Sequence, residues 1–113
     1  MSPRRPADRV LKLAELVAYQ DGAVVSSSLI KTETGSVTLF AFDRTQELSE
    51  HTVPYDALAY VLDGQARITI AGRAHRLSRG EAIIMPANRP HAVRAPRRFK
   101  MLLAMIRPGE VAP

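Results

Sequence analysis

Between residues 37 and 106 the chain repeats one short pattern: a β-prone run of four to eight residues, then a turn. Residues 37–42 read Val-Thr-Leu-Phe-Ala-Phe, and 57–62 are apolar throughout. That second run ends at Asp63-Gly64, a pair that signals a hairpin. Ala66, Ile68 and Ile70 then alternate with Arg67 and Thr69, which predicts a half-buried strand. Further breaks fall at Ala71-Gly72, at 78–81 and at the Pro-flanked 86–90. Short strands at such spacing predict an all-β sandwich or barrel.

The last run, 99–106, is apolar on both faces. Phe99, Met101, Leu103 and Met105 share one, and Leu102, Ala104 and Ile106 the other. A strand with one face in water would alternate with polar residues. Covering both faces takes a second layer, and in a chain of 113 residues that predicts a homodimer.

Composition sets the outer limits. The length fits one domain, and 46% hydrophobic residues supply one core, not two. No apolar run approaches the roughly 20 residues of a membrane span. The opening Met-Ser-Pro-Arg-Arg-Pro has no apolar signal region behind it, so a cytoplasmic location without membrane contact is expected. Without cysteine, any metal must be held by His, carboxylate or backbone oxygen. The net charge is +5 and the pI about 10.2, with 13 of the 16 basic residues Arg. These are dispersed, and three Phe, three Tyr and no Trp offer no platform for stacking bases. No nucleic-acid partner is expected, while an acidic ligand or partner stays open.

Residues 1–9 are Pro- and Arg-rich and expected to be flexible. Residues 10–36 should hold an arm and a first strand, 37–106 the barrel, and 107–113 a tail. Leu11, Leu13, Leu16 and Val17 suit either a short helix or an extended arm across the barrel; periodicity does not decide.

The stretch His51-Thr52-Val53-Pro54-Tyr55-Asp56-Ala57 carries the chemistry. Read as one strand, it sets 51, 53, 55 and 57 on a common face. Histidines at 51 and 53 with a carboxylate at 57 would offer a divalent metal three ligands. Here the face reads His, Val, Tyr, Ala, and the apolar replacements cannot coordinate.

This stretch resembles the first motif of the cupin family: a Gly, then His-x-His, a Glu, and a closing Gly. The leading Gly falls on Thr45, the histidines on His51 and Val53, the Glu on Ala57 and the last Gly on Gly64. In the second motif Gly80, Pro86 and His91 match in register, Asn88 replaces a Gly, and Ala95 replaces an Asn. Asn tolerates positive φ better than most residues, so that exchange is mild. The resemblance covers residues 37–106. It implies a cupin double-stranded β-helix, or jelly-roll barrel, with a short N-terminal arm or helix.

It also implies that His51 and His91 meet inside the barrel mouth. The pocket would be lined by His51, Val53, Tyr55, Ala57 and His91, with His51, Tyr55 and His91 as candidates for moving protons. Metal-free sugar-nucleotide epimerases of the family are similar in residue types. The expected cofactor is none, or a weakly held divalent metal (Fe, Mn, Ni or Zn) on His51 and His91. A third ligand would have to be Glu47, Glu50 or Asp56, and Asp56 reaches the common face only through a bulge. His75 is expected at the surface, Tyr60 and the Met85, Met101 and Met105 side chains in packing, and Glu81 in a structural role. Three functions fit: binding of a small molecule such as a sugar or organic acid, a metal-dependent oxygenase or isomerase with a reduced ligand set, or a ligand-sensing regulatory role with a partner protein. Whether the chain is an enzyme is left open.

Overall fold

Eight antiparallel strands build two facing sheets in the computed structural model, which describes residues 7–108. The strands are β1 Val24–Lys31, β2 Gly35–Phe42, β3 Glu47–His51, β4 Asp56–Ile70, β5 Arg73–Ser78, β6 Ala82–Met85, β7 His91–Arg94 and β8 Phe99–Ile106. One sheet runs β1-β2-β8, then the first half of β4, then β6; the other runs β5, the second half of β4, β7, β3. The architecture is the expected all-β jelly-roll barrel. Most of the basic segment 1–9 and of the tail 107–113 lies outside the described residues.

Strand β4 belongs to both sheets, and this corrects the hairpin expected at Asp63-Gly64. Gly64 has φ of 74°, but the chain continues forward through it. Against β8, the pairing slips by one residue between Val61 and Asp63. The slip exchanges faces: Ala57, Ala59 and Val61 are buried before it, Ala66 and Ile68 after it. One extra residue in a strand does this because side chains alternate with period two. Gly64 lies against the Arg98 carbonyl, where a Cβ would overlap that oxygen.

Other passages between the sheets also turn on a left-handed residue. Thr45 (φ 73°) lies between β2 and β3, Gly80 (φ 88°) between β5 and β6, and Asn88 (φ 63°) between β6 and β7. The positive φ of Asn88 is the one its residue type suggested. Within one sheet, Ala71 and Gly72, both at positive φ, close the two-residue β4–β5 hairpin.

The core fills the space between the sheets. Phe42 and Phe99 stack at its centre, 4.5 Å between ring centroids, with Val61, Ile68, Met85, Val93 and Met101 around them. The arm is extended apart from a single 3-10 turn at Leu13–Glu15. It buries Val17 against Leu39 and Ala41 on the outer face of the first sheet, with Leu102 beside them. It is fastened by the Tyr19 hydroxyl donating to Asp63 (2.6 Å), Lys100 Nζ donating to the Ala14 carbonyl (2.6 Å) and Arg98 bridging Asp21 and Asp43. The Arg98 hydrogen bond, with the Gly22 amide, holds the Asp43 carboxyl down at about 2.

Strand β8 is central and apolar on both faces, as read. Its inner side chains pack in the barrel, and the arm covers Leu102. Ile106 stays exposed. No helix among the described residues is long and apolar enough to cross a membrane.

Candidate functional site

His51 is the last residue of β3 and His91 the first of β7, and the two are direct partners in the antiparallel ladder. The 51–57 stretch is therefore not one strand. It is the end of β3, a corner at 52–55, and the start of β4. Pro54 has no amide for a ladder, which opposes a continuous strand there.

A register slip chooses His51. Leu48 pairs with Val93, and an unbroken ladder would bring Glu50 opposite His91. Three residues of β3 advance against two of β7, so His51 takes that place instead. The rings meet edge to face, 4.5 Å between centroids at 62°. Each Nδ1 lies beside the backbone carbonyl two residues back: Ser49 at 2.9 Å for His51 and Arg89 at 3.3 Å for His91. A carbonyl only accepts, so each Nδ1 carries a proton, and in the neutral form of either ring Nε2 is left as an acceptor.

His91 is 6% exposed, the sole polar residue in the buried core among the described residues, whereas His51 is exposed. Burial pushes the His91 pKa down, with the neighbouring charge of His51 in the same direction and the Arg89 carbonyl opposing. His91 is thus neutral at pH 7, fit to accept a proton or a hydrogen bond.

Two loops hold the corner around this pair. The Asn88 amide donates to the Val53 carbonyl (2.8 Å), the Ala87 amide to Asp56 Oδ1 (2.9 Å) and the Ala71 amide to the Pro90 carbonyl (2.8 Å). Asp56 is occupied as a loop staple, Glu47 pairs with Arg94 at 3.6 Å on the outer face, and Glu50 is exposed. Among the described residues no three His, Cys, Asp or Glu side chains gather as a metal would need. The donor set at the mouth is two imidazoles.

The other expected pocket residues go elsewhere. Val53 is half-buried in the corner. Ala57 is in the core, paired with Met85 and Met105. Tyr55 lines a separate crevice of about 140 Å³ with Thr32, Ser36 and Met105. Ile70, which pairs directly with His91, was not foreseen as its neighbour; only the strand pairing reveals it. His75, expected at the surface, is half-buried. Glu81 is structural, accepting the Ser78 amide at 2.7 Å across its own turn.

A family profile described as a cupin domain matches residues 39–107. A solved structure of a conserved protein of unknown function from Streptococcus pyogenes is 35% identical, with a TM-score of 0.86, covering 91% of this chain and 90% of that one. A cupin superfamily protein from Desulfitobacterium hafniense is 30% identical, TM-score 0.85, covering 90% and 94%. A cupin 2 conserved barrel domain protein from Leptotrichia buccalis is 38% identical, TM-score 0.83, covering 85% of this chain and 47% of that one. No curated protein matches the chain.

Proposed function

This chain belongs to the cupin family, and within it we propose that the barrel mouth binds a small molecule through the paired imidazoles of His51 and His91, without a complete metal centre. The observation that carries this reading is the pair itself: rings 4.5 Å apart, each with Nδ1 tied to a backbone carbonyl, which leaves Nε2 to meet a ligand. Two such acceptors suit the hydroxyl donors of a sugar, whereas the carboxylate of an organic acid only accepts and would need a ring that carries a second proton. The buried, neutral His91 is also a base poised for proton transfer. The test is thermal unfolding with a panel of sugars and organic acids, on the wild type, His51→Ala and His91→Gln. A ligand at a hundredfold excess over Kd stabilises by about 2.7 kcal/mol. Both variants should lose that response, and a response retained by both would end the assignment.

A second reading is a weakly held divalent metal (Fe, Mn, Ni or Zn) on the same two nitrogens. It is favoured by the carbonyl behind each Nδ1, the arrangement that fixes metal-bound histidines. A bound metal would supply Lewis-acid or oxidative chemistry, as for an oxygenase or isomerase. Two imidazoles meet only part of the donor set of a catalytic metal, which takes about three protein ligands. Elemental analysis of untagged protein separates the readings: stoichiometric metal lost in both variants supports the second, and none after incubation with each ion supports the first.

We further propose a homodimer through the outer face of the first sheet. Ile30, Val37, Ala104, Leu58 and Ile84 are successive ladder partners across β1, β2, β8, β4 and β6, forming one apolar row five strands wide. Ile84 is 65% exposed, and Ile106 and Tyr60 extend the patch. A contiguous apolar surface of this kind marks an interface. Sedimentation velocity at micromolar concentration tests it, with a dimer expected and a monomer contrary.

A further inference from the structure

The outer face of the second sheet carries a row of the opposite character. Glu47 pairs with Arg94, Arg94 with Arg67, and Arg67 with Arg76, so three arginines are successive ladder partners across β7, β4 and β5. Directly opposed residues have Cβ atoms about 4.5–5.5 Å apart, and like charges so placed destabilise a sheet. Glu47 offsets one of the three, approaching Arg94 at 3.6 Å. Among the described residues, Arg67 and Arg76 have no carboxylate partner.

A depression of about 350 Å³ opens over these two, lined by Gln65, Arg67, Ala74, His75, Arg76 and Pro96. Its size lies within the range of small-molecule sites. Arg67 and Arg76 are ladder partners that both line it, and each guanidinium is a fork of N–H donors that can grip a phosphate bidentately. Phosphate alone would leave much of the depression unfilled, and Ala74 and Pro96 supply an apolar wall for an organic body. No aromatic side chain lines it, which argues against stacked bases. It is also not the mouth: Arg67 and Thr69 point away from the core that Ile68 enters.

We infer that this depression binds the phosphate group of a small phosphate monoester, clasped between Arg67 and Arg76. The site is separate from the histidine pair and does not depend on its ligand. Its cost is electrostatic repulsion in the empty state, relieved when the dianion enters.

The experiment is thermal unfolding in sodium chloride, inorganic phosphate and glycerol phosphate at matched ionic strength, followed by 31P line broadening for affinity. The wild type should gain Tm saturably with both phosphates beyond the chloride control, and glycerol phosphate should bind more tightly. The Arg67→Gln/Arg76→Gln double variant should start at a higher Tm in low salt and bind at least tenfold more weakly. Arg76→Lys keeps the charge and loses the fork, so it should fold normally and still bind less well, and it serves if the double variant does not fold. Arg79→Gln, outside the depression, should respond like the wild type. An unchanged response in the double variant and in Arg76→Lys would overturn the site. A phosphate effect no larger than that of chloride would do the same. Equal affinity for the two phosphates would overturn the ester, and single-stranded RNA binding without response to either probe would overturn the small-ligand class.

Discussion

The two halves of β4 are one strand with two chemistries. Before Gly64 its outward residues are Leu58 and Tyr60, on a sheet whose outer face is apolar; after it they are Arg67 and Thr69, on a sheet whose outer face is basic. Inward, both halves contribute apolar residues to one core. A single continuous strand achieves this because the bulge changes parity, so the pattern of each half is written for its own sheet. The barrel therefore offers three different surfaces: an apolar row, an arginine row and a histidine pair at the mouth.

The largest test of this division is Gly64→Ala. A Cβ there would overlap the Arg98 carbonyl, and the residue also needs φ of 74°. The left-handed conformation costs a non-glycine residue about 1–2 kcal/mol, and overpacking about 1–3 more. Urea unfolding should report a loss of about 2–5 kcal/mol. A loss below about 1 kcal/mol would mean that the bulge relaxes freely and does not pin the two halves.

The next test contrasts the outer faces. Ile84→Lys sets a charge in the apolar row and should weaken the proposed dimer at least about tenfold, or 1.4 kcal/mol. Ile84 is 65% exposed in the monomer, so intrinsic folding should change little. Arg67→Gln, on the other face, should leave sedimentation unchanged. If Arg67→Gln dissociates the dimer and Ile84→Lys does not, the faces have been assigned the wrong way round.

These contrasts also explain what could be read from the residues alone. Strand runs and their apolar faces were legible, because alternation is a local property: Ala66, Ile68 and Ile70 turn inward as their spacing predicts. Asp63-Gly64 reads as a hairpin but forms a bulge, because a positive φ serves a reversal or a bulge equally well and only the partner strands decide. His51 and His91 could be placed together only through the family motif, since 40 residues separate them and the slip at 48–51 is invisible locally. The arginine row was hidden for the same reason. Arg67, Arg76 and Arg94 look dispersed along the chain and meet only when β4 lies between β5 and β7.

A smaller effect concerns His91, the buried member of the proposed site. Burial lowers the His91 pKa in the folded state below its ordinary value. A depressed folded pKa means that the unfolded chain takes up the proton first, so this contribution to stability is complete above the ordinary His pKa near 6.5 and is lost as pH falls below it. Urea midpoints should decline from pH 7.5 to 5.5, and His91→Gln should flatten the slope. A midpoint that rises on acidification would show His91 to be better solvated or better paired in its charged form than the core position allows. Among the described residues no histidine lies in the apolar row, so the pH dependence should follow His91 and spare the proposed dimer.

The smallest effect is expected where the chain passes between the sheets at Thr45. Gly64 and Thr45 share nearly the same φ, 74° and 73°, yet one is glycine and the other β-branched. Thr45 is held there because its amide donates to the Ala95 carbonyl (2.8 Å) while the Ala95 amide returns to Gln46 (3.0 Å). A β-branched residue in this region is strained by about 1–2 kcal/mol, whereas glycine would add about 0.5–1 kcal/mol of unfolded-state entropy. Thr45→Gly should therefore raise stability by only about 0.5 kcal/mol, and Thr45→Asn, which tolerates the conformation without glycine's entropy, by somewhat more. Both should leave the histidine pair, the apolar row and the arginine row unchanged. A loss of stability in both variants would show that the Thr45 side chain holds the passage in place, and that this crossing, unlike the one at Gly64, depends on what its residue touches more than on the angle its backbone adopts.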